Sequence, residues 1–467
     1  MTRWNNETLK NALKLNISFP VTAHTLCVDS RQLQHGDIFI ALPGTQDGHS
    51  FVRQALDKGA SCAIVERAPE NTNDQDKLIY VNNTQQALED LGIYGRSTAT
   101  KLKAIAVTGS VGKTTTKEML RSTLHHFGPT IYSKASYNNH LGVPLSLALL
   151  RQDSEFGIFE VGMNHKGEIA PLSRMVEPDI AIITTIAPSH IGNMGSLEDI
   201  VDEKCEIFAG MNQNGKVLLH GDHPLIDRMK DNAQKYEIKN VFTAGRKAGL
   251  DARLLHYQPM QQGKRSLITA EIFGKIVAYP LQFAGEHYAF NSLYVLLTAE
   301  ILGLDLGQVM QQLAKVQPVT GRGQMLNLQL TNGQTIFVYD DAYNANPASM
   351  TAGLKSFCSM HHDGRKIAVI GQMGELGEDS DMYHIEIGNF LNTLPIDCVH
   401  VIGTNAKCLF DTINKEKRGL WFETVDELKE RFIHTLKGRE SIFLKGSLSQ
   451  RLPELVLHLK SQLKAVA

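Results

Sequence analysis

The stretch best equipped for chemistry is Gly109-Ser-Val-Gly-Lys-Thr-Thr-Thr116, a glycine-rich turn that runs into a lysine and three hydroxyls. In such a turn the backbone N–H groups of Gly109, Ser110, Val111 and Gly112 can converge on an anion. The helix that follows adds the positive end of its dipole. Lys113 would meet the terminal phosphates of a nucleotide, and the hydroxyl of Thr114, with Thr115 beside it, could hold Mg2+. The loop is two residues tighter between its glycines than the usual phosphate-binding pattern.

Such a loop needs a strand before it and a helix after it. Ala104–Val107 is a short apolar run that reads as a buried strand. Met119, Leu120, Thr123, Leu124 and Phe127 recur at helical spacing after it. Residues 156–162 read as a further strand with Glu160 near its C-terminal end. In open parallel sheets ligands gather at that edge, so Glu160 and Thr114 could share a hard cation that bridges phosphates. Residues 179–186 form another apolar strand that runs into His190, a residue that caps a turn or ligates a metal there. The helix 197–208 carries Lys204 among Asp199, Asp202, Glu203 and Glu206. By charge pattern alone this is a solvated lysine. Polar residues from Gly285 through His287 and Asn291 open a long apolar helix, where they read as caps.

The segments on either side keep a strand–helix alternation. Toward the N-terminus, residues 37–42 and 62–65 read as strands around a helix, 51–58, with a further strand and helix over 78–94. The turn-rich loop 43–49, containing Thr45 and His49, is placed for ligand contacts. Ser30 and Arg31 stand just before it, either as such contacts or as a solvated turn. A polar segment covers 69–77. Beyond Gly321-Arg322-Gly323, strands at 335–339, 366–370, 398–402 and 441–444 alternate with helices near 347–360, 382–394, 406–416 and 425–437. No G-x-G-x-x-G fingerprint accompanies them. Their ends carry three polar clusters, 340–347, 371–377 and 445–447, which predicts one shared crevice.

The bulk properties fit a soluble enzyme. A length of 467 residues predicts about three domains. A net charge of −2 argues against broad nucleic-acid binding. Six scattered cysteines without a C-x-x-C pair favour a reduced cytoplasmic chain over a disulfide or zinc framework. The sequence opens without the apolar core of a signal peptide, and no run reaches the length of a membrane span.

Taken in order, these pieces resemble the Mur ligases, ATP-dependent amide-forming enzymes of peptidoglycan precursor synthesis. The resemblance rests on Asp29-Ser-Arg31, Gly36-Asp37, Gly48-His49, the tight loop 108–114, Asn138-Asn139, Glu160, His190, Lys204, His287 with Asn291, Gly321-Arg322 and Asp340-Asp341. Residues 160–169 and 340–347 look like the member that adds D-alanyl-D-alanine to UDP-N-acetylmuramoyl-tripeptide. Another Mur-type or a folylpolyglutamate-type ligase is the alternative, and a nucleotide-hydrolysing switch is a rival of a different kind.

The resemblance implies an α/β fold of three domains. These are a small N-terminal UDP-substrate domain over 1–97, a central P-loop ATPase-like parallel sheet over 98–320, and a C-terminal Rossmann-like doubly wound domain over 321–467. It implies catalytic roles for Lys113, Glu160, His190 and Lys204, with Lys204 carbamylated. ATP would be bound by residues 109–115, Asn291, Arg322 and Asp341. Two Mg2+ ions would be held by Thr114, Glu160, His190 and Lys204. Ser30, Arg31, Thr45, His49, Asn138, Asn139, Tyr343, Asn344 and Asn346 would meet the substrates, and the enzyme would act as a monomer. Two positions depart from the pattern on the acceptor side: Gln372, where Asp is common, and Leu448, where Arg is common.

Overall fold

Ile105, Val107, Ile158, Ile182 and Leu218 alternate along adjacent strands with Ala104, Ala106, Phe159, Ala181 and Leu219. The first set enters one apolar cluster and the second set another. These strands are therefore buried on both faces, which is why they read as unbroken apolar runs. Each large aliphatic side chain so buried contributes about 1.5–3 kcal/mol. The computed structural model describes residues 3–69, 75–134, 137–361 and 364–466. Ser136, and residues 70–74 of the polar segment, lie outside the described residues.

Three main sheets follow one another along the chain. The first is parallel, in the order Leu26–Cys27, Ile38–Ile40, Cys62–Val65, Leu78–Tyr80. Its following helix, Thr84–Thr98, packs on the helix Gly142–Ala148 of the next unit, and Leu145 and Ala148 join the core of the first.

The second sheet has nine strands. From one edge these are Thr130–Tyr132, Phe156–Glu160, Lys103–Thr108, Ile180–Ile183, Lys216–His220, Asn240–Gly245 and Ala252–Met260, all parallel. Two antiparallel strands, Arg265–Ile272 and Lys275–Leu281, complete it. The parallel sheet expected from the sequence is present, and an antiparallel ribbon extends it. Along Arg265–Ile272 the residues Ser266, Ile268, Ala270 and Ile272 are buried in strict alternation, a period-two signal of a one-sided strand. Lys103–Thr108 lies between strands reached in opposite directions, so the phosphate loop leaves the sheet at its topological switch point. The register pairs Val107 with Glu160 and Thr108 with Ile183, which levels the three strand ends.

In the third sheet five parallel strands run Arg418–Phe422, Cys398–Ile402, Lys366–Gly371, Ser441–Lys445, Thr335–Asp340. Gln324–Gln329 and Lys464–Ala465 add antiparallel to that edge. The strands 324–329 and 418–422 and the closing helix Leu452–Gln462 go beyond the sequence reading. Several expected helices are shorter than their apolar periodicity suggested. That over 197–208 is α-helical only from Leu197 to Cys205, then tightens to a 3-10 turn, Glu206–Gly210. Those near 406–416 and 425–437 reduce to Lys407–Thr412 and Val425–Phe432 with short 3-10 turns beyond them.

Candidate active site

The phosphate loop is built as its sequence requires. Gly109 and Gly112 have φ of 141° and 96°, a region that favours glycine. A side-chain carbon on Gly112 would sit 2.7 Å from Asn291 Oδ1, so the missing Cβ lets the helix Glu286–Ile301 approach the loop. Ser110 N and Val111 N donate to Thr185 O, and Ser110 Oγ donates to Ala187 O at 2.8 Å. The loop is thus tied to the segment that leads into His190. Lys113, first residue of the helix Lys113–Leu124, donates from Nζ to Gly109 O at 2.6 Å. Burial lowers its pKa and Arg322 adds to that, while Glu160 opposes.

Glu160 is 1% exposed and ends its strand beside the loop. Its carboxylate accepts from Thr114 Oγ1 at 2.9 Å and from Asn138 Nδ2 at 2.9 Å. Lys117, with no exposure at all, brings its Nζ within 3.7 Å of Glu160 Oε2 and donates to Ser133 O. Sequence reasoning gave Lys117 no role, although it lies one helical turn beyond Lys113.

Lys204 is only 2% exposed, which corrects the solvated reading of its charge pattern. Helical spacing puts it on the same buried face as Ile200 and Val201. Its neighbour Glu203 turns inward too, accepting from the backbone N–H groups of Gly167 and Ile169. Burial drives the Lys204 pKa well below its ordinary value, and the nearby Lys113 ammonium pushes the same way. His190 stands in the left-handed region at φ 55°, heading a short helix, Ile191–Met194, and its Nδ1 meets the carboxylate of Glu375.

A cavity of about 330 Å³ gathers these groups. From the second sheet it is lined by residues 110–115, Asn138, Asn139, Glu160, His190, Lys204, His287 and Asn291. The third contributes Arg322, Asp341, Tyr343, Asn344, Asn346 and Lys445. His287 and Asn291 face inward rather than capping their helix, whose N-cap, Gly285, offers no side chain. The Arg322 guanidinium lies 4.3 Å above the Tyr343 ring. Asp341 accepts from Lys445 Nζ at 2.7 Å, and Asn344 O accepts from it at 3.0 Å. Asn139 Oδ1 accepts from Gly142 N at 3.0 Å, where helix 142–148 begins, and Asn346 caps the start of Pro347–Ser359. Leu448 also reaches the cavity, whereas Gln372 ties strand ends together by accepting from Asn405 N at 3.1 Å.

Four expected substrate residues lie outside this cavity. Ser30 Oγ donates to Gln54, Arg31 is exposed and paired with Asp29, and Thr45 is exposed. His49 is buried, with Nδ1 against Asp47 and Nε2 accepting from Glu66 N, so both ring nitrogens are engaged.

The donor set suits a hard cation. Thr114 and Glu160 present oxygens together. Among the described residues no cluster of three His, Cys, Asp or Glu forms a complete metal cage. Mg2+ is commonly held by one or two carboxylates plus substrate phosphates and water, a partial shell of this kind.

Comparison with known proteins agrees with this arrangement. Residues 22–94 match the Mur ligase family catalytic domain, 107–299 the Mur ligase middle domain, and 321–448 the Mur ligase glutamate ligase domain. The UDP-N-acetylmuramoyl-tripeptide–D-alanyl-D-alanine ligase of Rickettsia prowazekii is 35% identical over 97% of this chain and 99% of its own. The crystal structure of MurF from Acinetobacter baumannii superposes with a TM-score of 0.84 at 30% identity, covering 98% of both chains. MurF of Thermotoga maritima, solved in complex with ADP, superposes with a TM-score of 0.76 at 25% identity, over 94% of this chain and 98% of its own. Matched segment by segment and over nearly all of its length, the chain belongs to the Mur ligase family.

Proposed function

We propose that this chain joins D-alanyl-D-alanine to UDP-N-acetylmuramoyl-tripeptide at the expense of ATP, giving UDP-N-acetylmuramoyl-pentapeptide, ADP and phosphate in peptidoglycan precursor synthesis. The observation that carries the reading is the single cavity lined by Lys113, Thr114, Glu160 and Lys204 on one side and Arg322 and Asp341 on the other. A nucleotide bound there has its γ-phosphate among groups that can also hold a carboxylate. The domain bounds proposed are 1–97, 98–320 and 321–467.

A carboxylate resists attack by an amine because its oxygen leaves poorly. Transfer of the γ-phosphoryl group forms a new O–P bond on the tripeptide carboxylate and releases ADP. The amine of D-alanyl-D-alanine then forms the C–N bond, phosphate departs with the C–O bond, and the amine loses a proton. The protein contributes position and charge neutralisation. Residues 109–115 cradle the β- and γ-phosphates, with Lys113 turning from Gly109 O to meet them. Asn291 faces the adenine, and Arg322 and Asp341 meet phosphate and ribose. Asn138 and Asn139 border the tripeptide end, and Tyr343, Asn344 and Asn346 the acceptor. Ser30, Arg31 and Thr45 hold the uridine diphosphate, while His49 braces their loop from within.

Thr114 and Glu160 would hold one Mg2+, and Glu160, His190 and a carbamylated Lys204 a second; bound there, the ions offset the repulsion among anionic phosphates and carboxylate. Carbamylation suits Lys204 because its surroundings favour the neutral amine. That amine adds to CO2 through a new N–C bond and releases one proton, and the product is an anion able to assist a cation. The enzyme is proposed to act as a monomer in the cytoplasm, where ATP is available; its six cysteines are all free.

The test is a panel of acceptor amines offered with the UDP-linked tripeptide. Phosphate release and a pentapeptide product that depend on D-alanyl-D-alanine support the reading. Dependence on glutamate or another single amino acid, or phosphate release with no acceptor, overturns it.

A further inference from the structure

Glu375 belongs to the loop that follows the strand Lys366–Gly371, in the C-terminal part of the chain, yet its carboxylate lies against His190 Nδ1. That nitrogen is buried without a well-angled hydrogen bond among the described residues, and the Glu375 carboxylate lies against it as its ion-pair partner. Backbone contacts join the same two segments. Gly192 N donates to Glu375 O at 3.4 Å, and a carbon added to Gly192 would stand 2.7 Å from Gly377 Cα. Two glycine residues therefore let the main chains touch. His190 and Glu375 also both hold left-handed backbone, at φ 55° and 62°, a conformation that is strained for residues that are not glycine. Such strain persists where surrounding contacts fix it.

We propose that Glu375 is a positioning residue for His190, one that acts across the boundary between the second and third sheets. With Nδ1 turned to Glu375, Nε2 is the nitrogen left for the cavity that His190 lines. A ring whose second nitrogen is held by a carboxylate keeps one tautomer and one orientation, and loss of such a partner commonly lowers activity 10- to 100-fold. Because the carboxylate arrives on the C-terminal segment, the ring is set only when that segment is seated. Seating of the acceptor side and completion of the nucleotide side thereby become one event. The inference rests on the ligase reading proposed above.

The test is a double-variant cycle on the full chain. Glu375→Ala is expected to lower kcat 10- to 100-fold while leaving the Kd for ADP within twofold. Glu375→Asp should recover part of the loss. In a His190→Ala background, Glu375→Ala should add less than a twofold further loss, because the two act as a unit. An independent readout uses the metal-free protein with 15N-labelled histidine. The His190 signals, assigned by their absence in His190→Ala, should show a single tautomer that becomes mixed in Glu375→Ala; if Glu375→Ala does not fold, Glu375→Gln takes its place. An equal loss in both backgrounds, or an unchanged tautomer, overturns the proposal. A wild-type chain without acceptor-dependent turnover would instead sink the ligase reading, and the tautomer result would still decide the role of Glu375.

Discussion

Lys117 Nζ lies 3.7 Å from Glu160 Oε2 and 3.3 Å from Glu118 Oε1, with the Lys117 and Glu160 side chains sealed from solvent. The charge that faces the phosphate loop is thus balanced from within the protein by a lysine one turn along the loop's own helix. Breaking a buried pair by removing one partner leaves an uncompensated charge and costs about 3–5 kcal/mol. Lys117→Met is therefore expected to lower the unfolding free energy by about 3 kcal/mol in urea titration. Adding Glu160→Gln should restore part of it. A Lys117→Met protein as stable as wild type would show that the pair is not the balance described.

Gly112→Ala tests the tight packing of loop and helix. The substitution meets Asn291 Oδ1 at 2.7 Å and imposes a φ of 96° on a residue with a Cβ. Gly167 has a similar φ of 87° but open space around it, so Gly167→Ala isolates the backbone cost. ADP affinity, followed by calorimetric titration, should fall at least ~10-fold for Gly112→Ala, the equivalent of about 1.4 kcal/mol. It should hold steady for Gly167→Ala. Equal behaviour of the two would contradict the role given to the Gly112–Asn291 approach.

Two buried histidines contribute to the acid limb of stability. Burial, with a smaller push from Lys445, lowers the His287 pKa to about 3. Burial, with Arg365 adding to it, lowers that of His400 to about 4. In the unfolded chain both would titrate near 6.5. Between the folded and unfolded values the unfolded state binds more protons, so stability rises with pH there. It is fully present above 6.5 and falls as the pH drops toward 4 and then 3. His400→Gln should make the acid limb shallower in denaturant titrations by up to one proton. An unchanged slope would count against a buried neutral His400.

How much of this was legible in the sequence depends on the kind of signal. The phosphate loop announced itself because glycines and a lysine at fixed spacing serve a local structure. Glu160 stood out as a charge in an apolar strand. Lys204 did not, since four acidic residues around it mimic a solvated face, and only packing shows Ile200, Val201 and Lys204 turned inward together. Lys117 hid in a helix rich in polar residues, and its partner Glu160 is more than forty residues away. The antiparallel ribbon 252–281 carried an alternating pattern that a reading attentive to parallel strands passed over. Glu375 lay in a cluster recognised as polar, but no sequence signal says which residue of another domain a loop will touch.

Lys204 offers a second pH test. Its pKa is lowered from 10.5 by burial first and by Lys113 second. In CO2-free buffer the folded protein therefore binds fewer protons than the unfolded chain in the alkaline range below 10.5, and stability should climb with pH there. Lys204→Met should flatten that climb. With 13C-labelled bicarbonate, a carbamate resonance should appear in the wild type and be absent from the variant. Its absence from the wild type would remove the proposed modification.

The central claim is that the γ-phosphate held by Lys113 is transferred to a carboxylate. The direct measurement is isotope transfer with UDP-N-acetylmuramoyl-tripeptide carrying oxygen-18 in the reacting carboxylate. One labelled oxygen should appear in each phosphate released, in step with pentapeptide formation. Phosphate free of the label, with pentapeptide still formed, would contradict the acyl phosphate and the account built on it.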